Sequence, residues 1–140
     1  MVIDSLDSTL TVTLDNSQIS QTSVTYTFIL TRIPGVTIQQ NSLIIVSFPA
    51  DYPTLGSVTC YDGSLTLSCT VNTRVVTITN YFSTSGMFVG SIQFTIAGVT
   101  NPSSTGDTQG FTAQITKLDE TVQATTSETS VRITEGPGIF

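Results

Sequence analysis

The chain has no histidine, no tryptophan, a single lysine and only two cysteines in 140 residues. Without histidine there are no Ser-His or Cys-His nucleophile pairs and few routes to a zinc site, since both rely on imidazole. Without tryptophan, the antibody pattern of an indole packed on an inter-sheet disulfide is not met. Charge is scarce as well: 10% of residues are charged, against about 25% in an ordinary soluble domain. The four cations, Arg32, Arg74, Lys117 and Arg132, are scattered among ten acids, for a net charge of -6. No positive field is left to attract phosphates, so nucleic acid is excluded as a partner, and no polybasic patch marks a membrane surface. No apolar run approaches the roughly 20 residues of a transmembrane helix, so membrane insertion is not expected. Residues 1–20 carry neither a basic segment nor a continuous apolar one, so a secretion signal has been removed or the chain is a piece of something longer. Alanine is scarce and no segment repeats every 3.6 residues, which predicts at most a single helical turn.

What is abundant is hydroxyl. Serine and threonine make up nearly a third of the chain, while 39% of residues are hydrophobic and mean hydropathy is +0.25. Such a chain folds, because disorder requires low hydrophobicity and high charge. Its length suits one domain, residues 1–140, burying roughly two-thirds of the surface the unfolded form exposes.

The apolar residues are organised around residues 42–48, Ser-Leu-Ile-Ile-Val-Ser-Phe, closed by Pro49. An unbroken apolar run reads as a central strand covered on both faces, and proline cannot continue its ladder. Elsewhere the pattern alternates. Leu10, Val12 and Leu14 share one face of residues 8–14 with threonines on the other, and Val24, Tyr26, Phe28 and Leu30 share one face of residues 23–32 with Thr25, Thr27 and Thr31 facing outward. Residues 57–60 and 65–69 flank Asp62-Gly63, a hairpin signal. Further strands are predicted over residues 74–79, 91–97, 110–118, 121–126 and 130–134, with loops at 49–56 and 101–107. Short strands separated by turns predict an all-β, antiparallel β-sandwich of eight or nine strands, immunoglobulin-like or jelly-roll, with Greek-key connections.

The order Thr25-Tyr26-Thr27-Phe28, then residues 42–49, Cys60, Cys69, Val76-Thr77-Ile78-Thr79 and Ile92-Gln93-Phe94-Thr95-Ile96-Ala97-Gly98-Val99-Thr100-Asn101-Pro102-Ser103-Ser104-Thr105-Gly106 resembles a repeat module of very large extracellular surface proteins of ciliates and other protists. The resemblance covers about residues 23–116 and leaves both ends outside. It implies an extracellular, thread-like or coat-forming setting and no catalytic residues.

Cys60 and Cys69 flank the hairpin nine positions apart and belong to no Cys-x-x-Cys pair. A structural disulfide is the first reading and places the chain in an oxidising compartment; buried free thiols are the second. A catalytic or metal-binding thiol is the third and lacks a histidine partner. Two-carboxylate hydrolysis needs acids at the ends of adjacent strong strands, which the pattern does not offer. Asp62 and Asp119-Glu120 lack the spaced acidic series of a calcium loop. Lys117, in a threonine-rich strand, reads as an edge charge or an isopeptide partner. No Asn-x-Ser/Thr sequon occurs, whereas Ser103, Ser104, Thr105, Thr125 and Thr126 are candidates for O-glycans. No enzyme activity and no cofactor or metal is implied.

The ends carry the functional signal. Residues 1–14 form an alternating apolar arm, and residues 135–140 finish with Ile139 and Phe140 after a Gly-Pro-Gly breaker. Such arms complete a neighbour's sheet by strand addition, and a head-to-tail contact repeated without closing makes a filament. The candidate assembly residues are Leu10, Val12, Leu14, Val131, Ile133, Ile139 and Phe140. The expected function is a non-catalytic structural module at the cell surface whose partner is itself or neighbouring repeats. The alternative is an adhesin-like carbohydrate-binding module using exposed Tyr52, Tyr61, Tyr81 and residues 101–107.

Overall fold

The computed structural model describes residues 7–31, 37–38, 41–63, 65–79, 81, 86–87, 91–117, 122–126 and 128–135. In chain order the strands are β1 (Asp7–Leu14), β2 (Val24–Thr31), β3 (Thr37–Ile38), β4 (Leu43–Ser47), β5 (Thr59–Asp62), β6 (Leu65–Leu67) and β7 (Cys69–Asn72). They continue with β8 (Val75–Ile78), β9 (Gly86–Met87), β10 (Ser91–Val99), β11 (Gly106–Asp107), β12 (Thr112–Thr116), β13 (Val122–Thr126) and β14 (Arg132–Ile133). No helix occurs among the described residues. The expected all-β sandwich is what forms.

Two sheets face each other across the core, one in the order β6-β5-β10-β2-β1 and the other β13-β12-β4-β8-β7. They meet at β1, whose Asp7 and Ser8 pair parallel with β13 and whose Thr9 to Leu14 pair antiparallel with β2. A single strand therefore seals one margin of the sandwich. At the opposite margin the chain passes from β6 to β7 through Ser68, and Cys60 of β5 is bonded to Cys69 of β7. The disulfide thus ties the two sheets to each other. Short ladders of β3 with β9 and of β11 with β14 close off loops.

The alternation read from the sequence sets the core. Val24, Tyr26, Phe28 and Leu30 of β2 are all buried, as are Ile92, Phe94 and Ile96 of β10 and Phe111, Ala113 and Ile115 around β12. Each fully buried side chain of this size contributes roughly 1.5–3 kcal/mol relative to exposure. β10 runs two residues further than the alternation suggests because Gly98 forms a bulge against β2. Gly98 has φ +94, and a Cβ there would lie 3.0 Å from the Ser57 carbonyl oxygen, so glycine suits both the conformation and the close approach.

Two local expectations need correcting. β4 is central in its sheet, between β12 and β8, but only Ile44 and Val46, with Phe48 beyond the strand, are buried. Leu43 and Ile45 alternate to the other face and are half-buried. The stretch 65–79 is also three strands rather than two: the chain changes sheets at Ser68, so β7 pairs with β8 around a turn at Thr73 and Arg74.

Replacing both Cys60 and Cys69 with Ala removes the covalent tie at the open margin, and urea unfolding should show a loss of about 2.5–3 kcal/mol. An unchanged midpoint would mean that the margin is held by packing alone.

Candidate functional site

Two regions have the geometry to interact with something outside the domain. The first is the loop end of the sandwich. The Tyr26 ring lies on the inner face of β2 and its hydroxyl donates to Asn101 Oδ1 at 2.6 Å, while the Tyr52 hydroxyl, 2.7 Å away, donates to Tyr26. Asn101 Nδ2 donates to the carbonyl oxygens of Asn16 at 2.8 Å and Gln18 at 2.7 Å, and its own N–H donates to Gln21 O at 2.9 Å. The loop 15–23, which contains the left-handed residues Ser20 and Ser23, is thereby sewn to the start of loop 101–107. The Ser20 N–H to Pro102 O and Ile19 N–H to Thr134 O bonds complete the seam. Arg74 Nε donates to Tyr52 O at 2.6 Å, tying the turn after β7 to the same residue.

Beside this network lies a crevice of about 360 Å³ lined by Ser20, Asp51, Tyr52, Pro53, Thr100, Asn101 and Ser103. The buried polar groups on its floor hold one another, so the arrangement serves the fold. Asp51 on its rim accepts the Gln109 N–H at 3.0 Å.

The second region is the open margin. β6 pairs only with β5 and β7 only with β8 among the described strands. Beside β7 is a slot of about 380 Å³ lined by Leu55, Gly56, Ser57, Val58, Cys69, Val71 and Thr73. Residues 69, 71 and 73 are alternate positions on one face of the strand and its turn, so they form one wall, and residues 55–58 form the other. Near the far end of β6, Leu65 is 62% exposed and is the one large exposed hydrophobic side chain among the described residues.

The residues singled out from sequence are distributed as follows. Cys60 and Cys69 form the disulfide. Leu10 is buried in its own domain, and Val12 and Leu14 pack against the same core. Val131 and Ile133 are buried too, whereas Ile139 and Phe140 lie outside the described residues, as do Asp119 and Glu120. Tyr52, expected to be exposed, is 1% accessible because its ring packs on Phe48 and Phe111 with centroids 5.3 Å away in each case. Tyr61 and Tyr81 are half-buried. Ser103, Ser104 and Thr105 are exposed. Thr126 is not a glycan position: it is 7% accessible and its hydroxyl accepts the Ala113 N–H at 3.1 Å. The side chain of Thr125 is outside the described set. Among the described residues no three His, Cys, Asp or Glu side chains gather as a metal site would need. The ion pair of Arg132 and Asp107, 3.5 Å apart and largely exposed, contributes little. Sequence reasoning missed the Tyr26, Tyr52 and Asn101 network. Its one signal was an Asn-Pro at a strand end.

No protein-family model matches the chain, and no curated protein is similar in sequence. Solved structures do share the architecture. One is a bacterial hydrophobin, BslA, at 14% identity and a TM-score of 0.58, covering 91% of this chain and 98% of that one. A second is a cohesin module from a Clostridium perfringens family 33 glycoside hydrolase, at 13% identity and 0.55, covering 91% and 96%. A third is the N-terminal domain of the Streptococcus gordonii adhesin Sgo0707, at 14% identity and 0.51, covering 92% of this chain and 33% of that one. At such identities the likeness is one of fold.

Burial pushes the Tyr26 and Tyr52 hydroxyls well above the ordinary tyrosine value of 10.0, the Asp15 charge adding to this at Tyr26 and the neighbouring tyrosine at Tyr52. A folded pKa above the unfolded one contributes stability below the unfolded value that is lost as pH rises through the folded one. Stability should therefore fall as pH climbs above 10, with ionisation of these two residues, followed by ultraviolet difference absorbance, coinciding with unfolding. Ionisation in the folded state would contradict the network. Asn101→Ala, which strands the Tyr26 hydroxyl and two loop carbonyls, should cost roughly 2–4 kcal/mol in denaturant unfolding. A cost below that of a surface substitution would show that the seam is held elsewhere.

Proposed function

We propose that this chain is a non-catalytic extracellular structural module, of the kind repeated in large surface proteins, that joins copies of itself or neighbouring repeats into a filament or surface coat by strand pairing. The observation that carries this reading is the open margin, where two strand edges stand unpaired in the described structure and carry none of the lysines or prolines that usually guard an edge. The Cys60–Cys69 bond supports an oxidising compartment. The architecture shared with a hydrophobin, a cohesin module and an adhesin domain supports a surface or adhesive role rather than an enzymatic one.

The terminal arms enter as strand donors. β1 fills the seam between the sheets of its own domain. The same seam in a second copy accepts the same strand, which is the domain-swapping route to polymers. Residues 135–140 are the other arm. O-glycans on the exposed Ser103, Ser104 and Thr105 suit the same surface setting. The carbohydrate-binding alternative retains Tyr61, Tyr81 and the crevice by residues 100–103, but not Tyr52 as a stacking platform.

Size-exclusion chromatography with negative-stain microscopy, under non-reducing conditions over a concentration series, should show a ladder of assemblies or filaments. A single monomer-sized peak at every concentration would remove self-assembly and leave a bead in a longer chain or a glycan-binding module.

A further inference from the structure

We infer that loop 15–23 is a hinge held shut by Asn101, and that releasing this clamp lets β1 leave its own domain and fill the same seam in a second copy. The inference rests on the strand exchange proposed above and names what regulates it. An exchanged strand needs no new surface, because the second copy offers it the contacts it already makes. Among the described strands β1 pairs with β2 and β13 alone, and Leu10, Val12 and Leu14 pack on the core. All of these re-form between copies, so concentration and the hinge set the balance between closed and exchanged forms.

The hinge carries opposing loads. Ser20 and Ser23 have φ of 56 and 57, left-handed values that cost an L-residue energy which an extended, open hinge releases. Drawn out, the loop spans up to roughly 30 Å, enough to carry β1 to a neighbouring seam. Against the strain stand bonds made only when the loop is folded back. Asn101 Nδ2 donates to Asn16 O and Gln18 O, the Asn101 N–H donates to Gln21 O, and the Ser20 N–H donates to Pro102 O. From the other side, Thr134 donates its N–H to Ser17 O and accepts the Ile19 N–H. The bond from the Asp15 N–H to Thr25 O is not part of the clamp, since it extends the β1–β2 pairing that exchange preserves.

Tyr26 separates the clamp from the core. Its hydroxyl bonds Asn101 Oδ1 in either form, because both residues stay in the domain that β1 leaves. Losing that bond weakens the closed and exchanged forms alike, whereas losing the bonds from Asn101 to the loop weakens the closed form alone.

Three substitutions test this in the full chain carrying Thr9→Cys and Thr31→Cys, exposed positions opposite each other on β1 and β2. Oxidation after equilibration joins these two within one chain when β1 is at home and between chains when it is exchanged, and non-reducing electrophoresis tells them apart. Asn101→Ala removes the clamp. Ser20→Pro forbids the left-handed backbone and removes the bond to Pro102 O while leaving the core untouched, so it decides the matter if Asn101→Ala does not fold. Each should raise the between-chain fraction on the order of tenfold over the parent. Tyr26→Phe, which loses core hydrogen bonds and no bond to the loop, should leave that fraction at the parent's level. An equal rise in all three, or no rise with Ser20→Pro, would overturn the clamp while leaving self-assembly in place. Assemblies whose added bonds all lie within chains would overturn exchange of β1. Single chains at every concentration in every variant would overturn both this inference and the self-assembly it rests on.

Discussion

Two phenolic hydroxyls inside an apolar core set the terms for much of this structure. Tyr26 and Tyr52 belong to a cluster with Phe28, Phe48 and Phe111, ring centroids 5.1 to 6.4 Å apart, and Phe94 continues it from Phe28 at 5.4 Å. The rings come from β2, from β10, from the end of β4 and the loop that follows it, and from the approach to β12, so the cluster is what the two sheets share. An unpaired hydroxyl in that setting would cost about 1–3 kcal/mol. Asn101 meets the demand, and its remaining groups then fix where two loops run. Aromatic packing in the middle of the domain thereby dictates loop conformation at its end, including the left-handed backbone at Ser20 and Ser23.

The strands and their inward faces were legible because the side-chain period of a strand is two and many of the outward positions, such as Thr11, Thr13, Thr25, Thr27 and Thr95, are threonine. β2 reads inward and outward without exception. What stayed hidden depends on contacts distant in sequence. The run 42–48 looked covered on both sides because composition alone does not tell a doubly covered strand from one with two half-exposed apolar residues on its outer face. Leu43 and Ile45 are that case. β7 was missed because Ser68 marks a change of sheet, which has no local signature. Tyr52 lay in a stretch of proline, glycine and aspartate that reads as surface loop, yet hydrogen bonds from Leu55 N to Thr73 O and from Arg74 Nε to Tyr52 O fold that loop over the core. Thr126 was hidden for the same reason: one threonine among many, distinguished only by the Ala113 N–H across the ladder.

Low charge has a structural consequence that runs through both margins. With little ionic repulsion to keep neighbouring strands out, a sandwich of this composition depends on closing its own edges. One margin is closed by β1, which pairs with both sheets and places Leu10 in the core. The other is tied by a covalent bond and a short crossing at Ser68, which hold the sheets together while β6 and β7 have no second partner among the described strands. The two solutions are not equivalent: a shared strand satisfies backbone groups, whereas a disulfide satisfies none. The outer sides of β6 and β7 therefore have no ladder partner among the described strands, and it is these backbone groups that the strand pairing proposed above would use.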